Sequence, residues 1–293
     1  PNGTADNLAD CVVVGYEAFK GHADNTTTGA NGTTAIGSFS LTALTSGVDN
    51  VGVGYKSLYA CNTGQQNTAL GTHALYGTDD GVSNTAVGAY AMHVGNAGDS
   101  NTAIGAQAMI DVTGSHNVAV GFQALFDITS GGSNVAIGSS SMKAMVGGES
   151  NNIAIGVDAM SLMDEDNETI DNNIAIGTAA LKGGDLASTA NDYEDNIAIG
   201  YQAMDGTGTI GGAGNIGIGS HALGGSWTGD TSNYNVAIGH ETMDAALDGA
   251  LYNVAVGYQA LSTQTSGDYN TVMGGQAGLD STTGGINTLI GFR

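Results

Sequence analysis

The chain has 293 residues with a formal net charge of -23, set by 28 acidic residues against five basic ones. A phosphate backbone or an anionic membrane would be repelled by it, which excludes nucleic acid as a partner. Its 49 glycines, one Pro and 6% aromatic residues rule out collagen, a proline-rich linker and a core of large side chains. No apolar run approaches the roughly 18 residues of a spanning helix, so this segment inserts in no membrane. Pro1 opens no signal peptide, and the chain reads as a processed product or a piece of something longer.

In chain order, one motif recurs sixteen times. It begins as CVVVGYEAF from Cys11, TTAIGSFSL from Thr33 and NVGVGYKSL from Asn50. It becomes regular at Asn67 and Gly71, Asn84 and Gly88, Asn101 and Gly105, and Asn117 and Gly121. It continues through Gly138, Gly156, Gly177, Gly200, Gly219, Gly239, Gly257 and Gly274 to NTLIGF at Asn287. The glycines stand 16 to 23 residues apart, seven of the intervals being 17. A period of this size is the mark of a solenoid. It predicts an all-β fold, a parallel β-roll or β-solenoid of about sixteen short coils, as a single repetitive domain over residues 1–293.

Before its glycine, nearly every motif places a small residue between two bulkier, mostly branched ones, as in Thr102, Ala103 and Ile104. That period of two predicts a strand of about five residues with a bulky face and a small face, bent at the glycine. A second extended piece is expected to follow, its Leu or Met (Leu75, Met109, Met204) meeting the branched residues inside the coil. Asn67, Asn84, Asn101 and their equivalents are expected to stack at one corner, their amides bonding backbone and each other. A coil this thin cannot stand alone, so stability must come from neighbouring coils and from self-association into a homo-oligomer.

Insertions interrupt the period at 161–172, 182–195 and 224–234. Asp164, Asp166, Glu168 and Asp171 in the first concentrate carboxylates as a calcium site would, without the glycine and final Glu of an EF-hand. The default reading is a solvated acidic loop, and no other cofactor is expected. Trp227, Tyr234 and Tyr193 are candidate glycan or receptor contacts; the alternative is packing against the rod edge or a sister chain. Ice binding fails because the Thr68, Thr85 and Thr102 rank gives way to Val118, Val135 and Ile153. Cys11 and Cys61 are too few for a disulfide scaffold, and a bridge between coils one and three would be strained.

The six histidines form no metalloprotease pattern, and no nucleophile elbow or phosphate loop is present. The protein is therefore expected not to be an enzyme. The remaining catalytic route is a glycan depolymerase with two carboxylates about 5–9.5 Å apart in the loops between 161 and 234.

The Asn-x-Ala-Ile-Gly strands resemble the head repeats of trimeric autotransporter adhesins. The longer form with YQAM at Tyr201 and YQAL at Tyr258 is similar to phage tail-fibre repeats that precede an intramolecular chaperone domain. The resemblance implies a homotrimer, left-handed coils, and an extracellular place on a virion tail fibre or a bacterial outer surface. It implies a structural and adhesive role, with a cell-surface glycan or protein as receptor. The general crossover rule favours right-handed coils, and the sequence leaves the hand open.

Overall fold

A computed structural model describes residues 10–21, 29–93, 95, 97–145, 147–162, 170–183, 193–206 and 212–293. The chain is an all-parallel β-solenoid of sixteen short strands, divided into two compact units, 1–134 and 135–293. Among the described residues no helix is long and apolar enough to cross a membrane.

The first unit holds β1 (Val12–Val14), β2 (Thr34–Ile36), β3 (Val51–Val53), β4 (Thr68–Leu70), β5 (Thr85–Val87), β6 (Thr102–Ile104) and β7 (Val118–Val120). Neighbours pair in parallel without slippage, Ala69 to Ala86, Ala86 to Ala103 and Ala103 to Ala119. The second unit holds β8 (Val135–Ile137), β9 (Ile153–Ile155), β10 (Ile174–Ile176), β11 (Ile197–Ile199), β12 (Ile216–Ile218), β13 (Val236–Ile238), β14 (Val254–Val256), β15 (Thr271–Met273) and β16 (Thr288–Ile290). Here the insertions vary the coil length, yet Ala154, Ala175 and Ala198 still pair in one column. The strand register is the same on either side of each insertion.

Each strand is three residues long rather than five, and the segment after the glycine is a turn, not a second extended piece. Gln107 and Met109 take φ of 58° and 49°, and left-handed residues at these two places recur through both units. Every second residue reversing its φ curls the chain inward within four residues. The turn is nevertheless bonded on both sides: Gln107 N donates to Ala89 O at 3.0 Å and Met109 N to Ala124 O at 3.0 Å. Intercoil pairing thus offsets the cost of left-handed conformations that side chains disfavour.

The core also differs from expectation, because the small face of the strand is the inner one. Ala69, Ala103 and Ala198 are fully buried, and so are Leu75, Met109 and Met204 from the turns. A Cβ added to Gly217, which replaces Ala at the middle of β12, would lie 3.4 Å from Met204 Sδ. The Leu and Met column therefore packs on the Ala column, while the branched residues flanking each Ala face outward. A strand carrying Ile on its inner face would leave no room for these long side chains in so narrow a coil. Leu44, Cys61, Thr78, Val112, Ile128 and Met145 complete the core from the return segment.

Two polar devices clamp the stack. Asn84 Oδ1 accepts the backbone N–H of Asn101 at 2.9 Å, and Asn84 Nδ2 donates to Gly98 O at 2.8 Å, both in the following coil. The same pair recurs in the second unit, where Asn196 Oδ1 accepts from Asn215 N at 3.0 Å and Nδ2 donates to Gly212 O at 2.7 Å. These asparagines are fully buried with donor and acceptor capacity spent on the backbone, as the sequence predicts. At the bend, Gly200 has φ of 140°, and a Cβ on it would lie 2.5 Å from Gly219 O. Only glycine fits there, for conformation and for space.

Candidate interaction surfaces

Among the described insertion residues, Trp227 and Tyr193 are buried and Tyr234 is exposed. Asp164, Asp166 and Glu168 lie outside the described residues. The carboxylate of Asp171 accepts the backbone N–H of Ser150 at 2.6 Å, which makes it a cap on the preceding coil. Among the described residues no group of three or more His, Cys, Asp or Glu could hold a metal ion. The Cys11 thiol donates to Ala30 O at 3.3 Å; the Cys61 thiol is free and buried, and desolvation pushes its pKa to about 12.

Trp227 is 3% exposed and Tyr193 fully buried, so neither presents its ring to solvent. Tyr193 occupies the place where other coils carry the glycine that bonds the asparagine amide, and its own O accepts Asn173 Nδ2 at 2.6 Å. Trp227 lies against Gly212: a Cβ there would meet Trp227 Cζ3 at 2.7 Å. In these lengthened coils the two large rings are core residues, neither ligand contacts nor, as the alternative expectation had it, a cover for the rod edge or a sister-chain contact. Tyr234, by contrast, is 51% exposed. It stacks on Tyr252 at 5.1 Å, which stacks on Tyr269 at 5.2 Å. The structure therefore does not gather Trp227, Tyr193 and Tyr234 into one surface.

Three other surfaces stand out. The first is the outer strand face. It presents Val or Ile or Leu from the last strand position, for example Leu70, Ile104, Ile137, Ile176 and Ile238, all more than a third exposed. Thr, Val or Ile fills the first strand position, and the residue after the glycine is often a ring, such as Tyr16, Tyr55, Phe122, Tyr201 and Tyr258. No Asp, Glu, Lys or Arg occupies any of these three columns in the sixteen coils. In a chain with 33 such residues, that exclusion marks a face built for burial, since surfaces kept in water carry charge.

The second surface is the turn face of the first unit, made by residues two and five beyond the glycine. It carries Lys56 and Tyr59, then His73 and Tyr76, then Tyr90 and His93 on successive coils. Tyr59 stacks on Tyr76 at 5.1 Å with planes 4° apart, and His73 on Tyr90 at 5.0 Å and 11°. His93 meets Tyr90 edge-on at 5.0 Å, and Lys56 Nζ lies 5.3 Å from the Tyr59 ring centre and 5.9 Å from that of Tyr76. Burial lowers the His73 pKa, with further lowering by His93 and Lys56.

The third is the turn face of the second unit, where the same columns hold Gln202 and Asp205, His221 and Gly224, and Glu241 and Asp244. Desolvation raises the pKa of both Asp205 and Asp244, opposed by the nearby His221. Burial mildly favours neutral carboxyls there. The Lys, His and Tyr cluster was missed in the sequence because its members on successive coils stand 14 to 20 residues apart. Folding each motif onto the 17-residue period and reading down columns two and five would have found it. No protein-family profile matches the chain, and no curated protein matches it.

Proposed function

We propose that this protein is a structural and adhesive fibre segment, acting mechanically rather than catalytically, whose copies associate side by side through the outer strand face. The observation that carries the reading is the charge-free apolar column on every coil. A solitary solenoid would leave this face in water, whereas parallel sister chains in matching register would bury it coil against coil, as closed symmetric oligomers do. The resemblance to adhesin heads and tail-fibre repeats supports three copies and a place outside the cell, on a virion tail fibre or a bacterial surface. In such a bundle, weak contacts on each chain add through avidity.

Light scattering on the purified chain tests this. The expected mass is three chains. The double variant Ile104→Lys with Ile218→Lys should fall to one chain with an unchanged circular dichroism spectrum, because both side chains lie outside the coil core. A single-chain mass for the unsubstituted protein at micromolar concentration rules the reading out.

A further inference from the structure

The turn face of the first unit has chemistry that neither folding nor lateral association requires. Its columns hold no acid from the second coil to the seventh, where Phe39 and Thr42, Lys56 and Tyr59, His73 and Tyr76, Tyr90 and His93, Gln107 and Ile110, and Gln123 and Phe126 stand. For a chain of net charge -23, these two columns are free of carboxylates over six coils, with acids standing beside them at Asp79 and Asp80, Asp111 and Asp127. Lys56 is the lysine that the columns hold.

We propose that this patch is the receptor-contact site of the fibre, and that its ligand is a carboxylate-bearing glycan lying along the coil axis with a carboxylate beside Lys56. The ring geometry selects the ligand class. Tyr59 and Tyr76 are stacked with centres 5.1 Å apart, so phenol groups repeat once per coil, and His73 and Tyr90 repeat likewise at 5.0 Å. A linked pyranose advances by close to one coil rise per sugar, so successive sugars meet successive rings in step. An extended peptide presents same-side groups at about 6.6 Å, twice its rise per residue, and drifts out of step within two coils. Tyrosine offers a sugar both an apolar body and a hydroxyl partner. The ammonium of Lys56, already drawn over the Tyr59 and Tyr76 rings, supplies a charge-assisted bond to a carboxylate.

The proposal rests on the fibre reading only for the term receptor; the patch borders the outer strand face at Tyr55, whose ring meets His73 at 5.3 Å and Lys56 Nζ at 5.4 Å, and its columns are distinct from that face. Calorimetry with a six-sugar oligouronate should give saturable binding. Its methyl-esterified, uncharged form should bind at least about tenfold more weakly, and Lys56→Gln and Tyr76→Leu should each weaken the oligouronate about tenfold with unchanged mass by light scattering. Equal affinity for the ester, equal affinity for a polyglutamate of matched charge, or unaltered binding by both variants would each overturn it. So would an absence of binding. A single-chain mass with oligouronate binding intact would remove the fibre reading and leave this site standing.

Discussion

The turn faces of the two units share one backbone and differ in chemistry. In both, the residues two and four beyond the glycine take the left-handed conformation, as at His73 and Leu75 or at His221 and Leu223. In both, the coil is clamped by the same asparagine column. Yet coils three to five present Lys56, Tyr59, His73, Tyr76, Tyr90 and His93, and coils eleven to thirteen present Asp205, His221, Glu241 and Asp244. The comparison separates what the repeat needs from what each unit adds. Positions whose side chains are buried against or bonded to neighbouring coils are held constant, and positions whose side chains face water are free to diverge, as expected of a solenoid.

The largest expected effect tests the shared part. Gly88→Ala and Gly219→Ala place a Cβ against the carbonyl of the next glycine at φ of 139° and 136°. Each should destabilise its unit by more than about 3 kcal/mol, read by chemical denaturation. If one unit tolerates the change, the backbone is not common to both. Next come the asparagines. Asn101→Leu and Asn215→Leu remove an acceptor from a buried backbone N–H and a donor from a carbonyl, a loss of about 2–4 kcal/mol. A loss under about 0.5 kcal/mol at either position would mean that the ladder does not clamp that unit.

The smallest effect tests the divergent part, and its sign differs between units. Burial lowers the His73 pKa below 6.5, so the unfolded chain takes the proton first. Its contribution is whole above pH 6.5 and is lost as pH falls through the lowered value. Asp205 and Asp244 are raised above 3.8, so the folded state holds the proton more tightly. Stability there increases as pH falls through the raised values and levels off below 3.8. Accordingly His73→Gln should flatten the acid-side loss, and Asp244→Asn should raise the melting temperature at pH 7 but not at pH 3.5. Both shifts should stay under about 2 °C, since these groups are partly in water. An Asp244→Asn shift of equal size at both pH values would assign the effect to packing.

How far the sequence reached can be seen at particular residues. Asn84 and Asn101, Gly88 and Gly105 were legible because one constraint recurs at one period and admits one side chain. Trp227 and Tyr193 were not, because a large ring in an insertion reads equally as bait for a ligand or as a plug for the core. Their burial depends on contacts with other coils, and that is visible only once Gly212 is found against the indole. The Lys56 and His73 cluster was hidden in a different way: its partners are neighbours in space only after each coil is laid on the next.

The amino-acid order by itself determined the period, the parallel stacking and the clamp, since these follow from local alternation, glycine at the bend and one amide per coil. It also marked two faces on every strand. Which face turns inward was decided by the tertiary structure, because a period of two is symmetric between its sides. Ala went inside because the Leu and Met of the curled turn need the volume beside it, and the branched residues were thereby left outside as a surface for association.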